Sequence, residues 1–248
     1  MAIITISRGS FSGGEEVTAK VVQRLGYVLA SDVVISEASR KYQVPVDKLE
    51  RAVHFAPSLL ERFFSNKQKY VACMAAATLS HFKDDNAVYD GFEGQFFASS
   101  ISPVTAKILA YFKNDNVDYS GFAEQYYSRT ISHHLNVKVT ANLEDRLARL
   151  MKEKKLGREQ AARELNREDR RRNAWSRYFY GVDTTSDELY DLVLHMNKME
   201  VDDAVGVICE TAAKPGFRTS FESEQAIKDL ALAAEIKERH KSVFYKIE

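Results

Sequence analysis

The chain has 248 residues, 45% of them apolar and 11% aromatic. That is enough for one large α/β domain or two small ones with a substantial core, and global disorder is not expected. The 35 basic and 35 acidic residues cancel, so no overall field favours nucleic acid or a membrane surface. The two cysteines, Cys73 and Cys209, lack metal-like spacing, no run approaches ~18 apolar residues, and Arg8 interrupts any leader, so a soluble, reduced, cytoplasmic protein without a metal site is expected.

"AIITIS" (2–7) is β-branched and bounded by Gly and Ser, and predicts a buried strand. From Glu16 onward, Val17, Val21, Val22 and Leu25 recur at helical spacing until Gly26 stops the helix. "YVLASD" (27–32) predicts a short second strand or extended segment ending at Asp32. Residues 46–83 read as mostly helical with a break near Pro57. "NAVYDGF" (86–92), "LNVKVTA" (135–141) and "YDLVLHM" (190–196) are further strands, separated by long helical stretches. Such alternation implies a mostly parallel sheet covered by helices on both faces.

A repeat is visible at an offset of 30 residues. "LSHFKDDNAVYDGFEGQFFASSIS" (79–102) aligns without gaps to "LAYFKNDNVDYSGFAEQYYSRTIS" (109–132), with 11 of 24 positions identical. A tandem duplication of one helix–strand–helix unit is expected, because a solenoid needs at least three units. Val88 becomes Asp118 and Gly94 becomes Glu124. A buried aspartate needs compensating partners, so copy one is expected as the central strand and copy two at the sheet edge or outside it.

"ISRGSFSGGEE" (6–16) joins the first strand to the first helix, where a phosphate loop would sit. Against G-x-x-x-x-G-K-[ST], Arg8 takes the first glycine, Gly13 the second, Gly14 the lysine and Glu15 the hydroxyl residue, so one signature position of four survives. Glu15 and Glu16 complement the helix dipole but repel phosphate, unless a magnesium ion or an inward-turned Arg8 reverses the sign.

Four stretches occur in the order of one family: "ITISRGSFSGGEEVTAKVVQRLGY", "NAVYDGFEGQFF", "LNVKVTANLEDRLARL" and "REDRRRNAWSRYFYGVDTTSDELYDLVLHMNKMEVDDAV". They resemble the cytidylate kinase-like family of P-loop proteins, a branch that often carries S-R-x-x-x-S-G-G without the Walker lysine. The resemblance implies a P-loop kinase-type three-layer α/β fold over residues 1–212, with a five-stranded parallel sheet. It implies ATP with Mg²⁺ on Arg8, Gly9, Ser10, Phe11, Ser12, Gly13 and Gly14. A pyrimidine monophosphate (CMP-like) would sit by the second and third strands, at Asp32 and Gly91, and a helical lid near 155–185 would close over both.

Within that lid, "GREQAARELNREDRRRNAWSR" places Arg163, Arg167 and Arg170 on one helical face, the expected catalytic clamp. The bland alternative is a solvated helix laced by Glu164, Glu168 and Asp169. A nucleic-acid-binding helix is disfavoured by the interleaved acids. Two departures favour a second reading, a catalytically inactive nucleotide-binding or regulatory module. The Walker lysine is missing, and Phe92 stands where active relatives carry an acceptor-binding arginine, as Phe122 does in copy two. The six histidines show no ligand spacing. Residues 213–248 read as a linker, "KPGFRTSFESEQ", followed by an amphipathic helix with Ile227, Leu230, Leu232, Ala234 and Ile236 on its apolar face. That helix is expected to pack back on the core or bind a partner, and the repeated unit offers a homodimer surface.

Overall fold

In the computed structural model, which describes residues 2–58, 66–83, 86–91, 94–99 and 131–239, one sheet holds five strands: β1 (Ile3–Arg8), β2 (Val28–Leu29), β3 (Ala87–Asp90), β4 (His134–Thr140) and β5 (Leu192–His195). Their order is β2-β3-β1-β4-β5, and every neighbouring pair is parallel. Parallel pairing demands cover on both faces, and β1 shows why the sequence provides it. Ile3 points into one core, while Ile4 and Ile6 point into the other, and all three are buried.

Helices α1 (Gly14–Leu25) and α8 (Val201–Ala212) cover the Ile4/Ile6 face through Val17, Val21, Ala204, Val205 and Ile208. The opposite face is covered by α2 (Ala30–Tyr42), α3 (Val46–His54), α4 (Lys67–Phe82) and α5 (Gly94–Ser99), which bury Val34, Leu49, Met74 and Phe97. Two further helices, α6 (Leu143–Lys154) and α7 (Arg158–Tyr180), form a small third core of Leu147, Leu150, Ala161 and Leu165 beside the end of β1. Gly157 and Gly181 bound α7, so one continuous helix, Arg158–Tyr180, occupies most of the stretch 155–185 where a lid is expected. No described helix is long and apolar enough to cross a membrane.

Three expectations change. The strand expected over 27–32 is confined to Val28–Leu29, and α2 begins at Ala30, which places Asp32 in a helical first turn. An acidic residue there complements the helix dipole, and β2 pairs with β3 over only two residues. The stretch read as linker becomes helical at Phe221, where α9 (Phe221–Arg239) starts. Ser223 N–H donates to Ser220 Oγ (3.2 Å) and Ser220 N–H to Ser223 Oγ (2.8 Å), so two orphan donors are satisfied reciprocally. Helix α9 packs on α4 through Ile227, Leu230 and Ala231, whereas Leu232, assigned to its apolar face, is exposed. Copy one of the repeat supplies the end of α4, β3 and α5; residues 109–130 of copy two and Phe92 lie outside the described residues.

Candidate functional site

Between β1 and α1 the chain turns through Gly9–Gly13. Gly9 N–H is anchored to Val139 O (2.9 Å) and Ser12 N–H closes on Gly9 O (3.1 Å). Gly13, the N-cap of α1, has φ 87°, a left-handed conformation that glycine adopts without penalty. Gly14 must be glycine for a different reason: a Cβ there would lie 2.7 Å from Arg8 Cβ. Phe11 is also left-handed (φ 61°), which costs a bulky residue about 1–3 kcal/mol. Its ring packs on the third core, so tertiary contact holds the strained turn in place. The result leaves the first-turn N–H groups of α1 facing a cavity of about 630 Å³. Ser12 is buried there, and its Oγ has no hydrogen-bond partner among the described residues.

Five cationic side chains (Arg8, Arg149, Lys152, Lys154, Arg172) and three carboxylates (Glu15, Glu153, Glu168) line the cavity, a net charge of +2. Arg8 does not point freely into it. Its Nε donates to Asp90 Oδ1 and Oδ2 at 2.7 and 3.0 Å, and its Nη1 to Glu15 Oε1 at 2.6 Å. Burial pushes the Asp90 carboxyl above its usual range, and Arg8 only partly offsets that. Burial also works against the charge on Arg8, but Asp90 and Glu15 outweigh it and hold the guanidinium above its ordinary value. In this pair the charge on Asp90 is therefore the conditional one. Asp90 N–H also reaches Ser31 Oγ (3.4 Å) in the first turn of α2, joining the loop to the region of Asp32 and Gly91.

Helices α6 and α7 grip the loop from above. Arg146 Nε donates to Ser10 O (2.8 Å) while its Nη2 bonds Asp169 (2.8 and 3.0 Å). Ser10 Oγ donates to Glu168 Oε2 (3.1 Å), and Arg172 Nη1 donates to the carbonyl of Arg8. The pattern on α7 explains which residues arrive. Ala161, Leu165, Trp175 and Phe179 are buried, and Glu168 and Arg172 occupy the intervening positions of the same heptad-spaced stripe. Polar residues on an otherwise apolar inward stripe face the loop. Trp175 pins the stripe by donating from Nε1 to Ala52 O (2.7 Å).

The structure thus brings together Arg8, Ser10, Phe11, Ser12, Gly13 and Gly14 around the cavity, with Gly9 in the same turn. Asp32 is exposed on α2 and Gly91 follows β3, its N–H bonded to Ile6 O (3.1 Å). Arg163, Arg167 and Arg170 are exposed, on the side of α7 opposite the inward stripe. Arg163 is 72% exposed and its nearest carboxylate partner is Glu159, at 3.9 Å. The residues not assigned from sequence are Asp90, Arg146, Arg149, Glu168, Asp169 and Arg172. The heptad stripe would have revealed Glu168 and Arg172, whereas the rest depend on tertiary placement.

The described residues include no cluster of three or more His, Cys, Asp or Glu that would hold a metal ion alone. Magnesium accompanying a nucleotide asks for less: one or two carboxylates and the phosphates themselves. Glu15, a carboxylate that lines the cavity together with Ser12, and Asp90, joined to it through the Arg8 guanidinium, are oxygen donors that fit that requirement.

A parallel sheet in 2-3-1-4-5 order, with a glycine-rich anion loop after β1 and basic helices above it, defines a P-loop kinase-type fold. The model of the cytidylate kinase-like family matches residues 3–198, and the chain belongs to that family, whose function is of the nucleotide-kinase type. No curated protein sequence matches the chain. Among solved structures it is similar to an uncharacterized protein from Eubacterium ventriosum ATCC 27560, at 14% identity and TM-score 0.53, over 86% of this chain and 98% of that one. It also aligns with a deoxyadenosine kinase from M. mycoides with bound dATP, at 14% identity and TM-score 0.38, over 86% and 100% of the two chains.

Proposed function

We propose that the protein is a nucleoside monophosphate kinase-like phosphotransferase that carries ATP on residues 8–14 and transfers its terminal phosphoryl group to a pyrimidine monophosphate of the CMP type. The observation that carries the proposal is the net-positive cavity at the N-terminus of α1, in a chain of the cytidylate kinase-like family. Phosphoryl transfer needs positioning and charge neutralisation more than covalent chemistry, and the cavity offers both. The loop N–H groups and Ser12 Oγ bind phosphate oxygens, and Arg172 adds charge from α7. Asp90 or Glu15 would hold Mg²⁺, which supplies neutralisation of the phosphate charge. The acceptor lies beside Asp32 and Gly91, next to the Ser31–Asp90 contact. A cytoplasmic setting completes the proposal, as does a homodimer or protein partner engaged through 109–132 or α9.

A second reading, a nucleotide-binding or regulatory module without transfer, is favoured by one observation. Arg8, the cation built into the loop, is held by two carboxylates, and the loop has no lysine to replace it. Release of ADP from ATP and Mg²⁺, measured with each nucleoside monophosphate in turn, separates the two. Turnover with a pyrimidine monophosphate supports the kinase; none with any acceptor leaves the module. Alanine at Arg163, Arg167 and Arg170 lowers kcat if these residues form the clamp and leaves it unchanged if they are a solvated face.

A further inference from the structure

The loop lacks its lysine, and most of the cations around the cavity are committed elsewhere. Arg8 is turned to Asp90 and Glu15, Lys154 is paired with Glu164, and Arg172 donates to a loop carbonyl. Arg149, on α6, is placed differently. Its guanidinium lies directly over the N-cap glycine of α1: a Cβ added to Gly13 would strike Nη1 and stand 3.2 and 3.3 Å from Cζ and Nη2. Among the described residues Arg149 has no ion-pair or hydrogen-bond partner. The neighbouring loop residue gives a second, independent observation. Ser12 is 1% exposed, lines the same cavity as Arg149, and its Oγ has no hydrogen-bond partner among the described residues. A buried hydroxyl without a partner is costly unless a ligand completes it.

We propose that Arg149 supplies, from α6, the phosphate-binding charge that the loop itself lacks, with Ser12 Oγ as its companion donor. The ligand chemistry is a pair of adjacent phosphoryl groups, as in the β and γ positions of a nucleoside triphosphate or in inorganic pyrophosphate. A planar guanidinium grips such a group through two parallel N–H donors, where a lysine offers a point charge. Delivery from a separate helix also gives Gly13 a second constraint, since any side chain there would displace the arginine. Lys152 lines the cavity too, but the guanidinium over the loop glycine belongs to Arg149. The inference rests on the nucleotide-binding reading above.

Calorimetric titration of the full chain with MgATP and, separately, with inorganic pyrophosphate tests it. Arg149→Ala is expected to weaken both ligands roughly ten- to hundredfold, the worth of a charge-assisted hydrogen-bonded contact. Arg149→Lys should recover part of the loss, and Lys152→Ala should lose less than Arg149→Ala. Lys48→Ala, which removes one exposed charge on α3, is the charge control and should change neither affinity. Arg149 is exposed, so thermal unfolding of its variants should match the unsubstituted protein. Unchanged binding by Arg149→Ala, or a loss no greater than that of Lys152→Ala, overturns this proposal alone. Failure of the unsubstituted protein to bind either ligand overturns it together with the nucleotide-binding reading.

Discussion

Replacing Arg8 by alanine strips the guanidinium from Asp90, a carboxylate whose side chain is only 14% exposed; Arg8 itself is 26% exposed. Breaking a fully buried pair costs about 3–5 kcal/mol, and breaking an exposed one about 0–1. This pair lies between those limits and nearer the buried one, so a loss of about 2–3 kcal/mol is expected near neutral pH. For a domain of this size that lowers Tm by roughly 5–10 °C. The pH dependence distinguishes the cause. Burial already raises the Asp90 pKa, and without Arg8 it rises further above the unfolded value near 3.9. The folded state then binds more protons than the unfolded state between those two values. Stability contributed by the protonated form is present below the unfolded pKa and lost as pH rises through the folded one. The variant should therefore be penalised more at about pH 7.5 than at about pH 5, and Arg8→Ala/Asp90→Asn should regain part of the loss. Urea unfolding followed by circular dichroism at both pH values measures this. A loss below about 0.5 kcal/mol, or one of equal size at both pH values, would refute the assignment of Arg8 and Asp90 as a buried pair.

Gly14→Ala places a Cβ 2.7 Å from Arg8 Cβ and 3.2 Å from Arg8 Cδ, so the loop and β1 must move apart. About 1–3 kcal/mol of destabilisation and weaker nucleotide binding are expected by denaturation and titration, and an unaffected affinity contradicts the loop geometry. His134 is held neutral at the base of the sheet: its Nε2 donates to Thr5 Oγ1 (2.8 Å), which donates in turn to Asn136 Oδ1. Burial, aided by the neighbouring His133, lowers its pKa to about 3. The unfolded state takes a proton that the folded state refuses, so stability should fall as pH drops from about 6.5 towards 3, by up to about 1.4 kcal/mol per unit. His134→Gln should flatten that slope in acid titrations, and an unchanged slope would assign the acid sensitivity elsewhere.

The sheet was readable from sequence because its strands are short, β-branched and separated by long helices, a pattern with few parallel solutions. Edges were harder. At β2, Ala30, Ser31 and Asp32 serve as well in a helical first turn as in an extended end, and pairing to β3 decides between them. The start of α9 was hidden because serines that look like linker composition bond each other's backbone N–H groups. The position of the loop, a Gly/Ser turn between strand and helix, marks it in the sequence although the Walker signature does not. In the helices above it, charge and spacing alone single out Arg163, Arg167 and Arg170. The apolar stripe, however, sets the side of α7 that meets the loop, and on that side stand Glu168 and Arg172. Arg149 carried no sequence signal, since its approach to Gly13 depends on how α6 packs.

Both readings of function require nucleotide phosphate on the loop between β1 and α1, so titration of the unsubstituted protein with ATP, in the presence of Mg²⁺, decides whether that site exists. Saturable binding to a single site, weakened by Gly14→Ala, is the result expected. No saturable heat with ATP or ADP at millimolar concentration, from protein shown to be folded, would contradict the assignment of a nucleotide site.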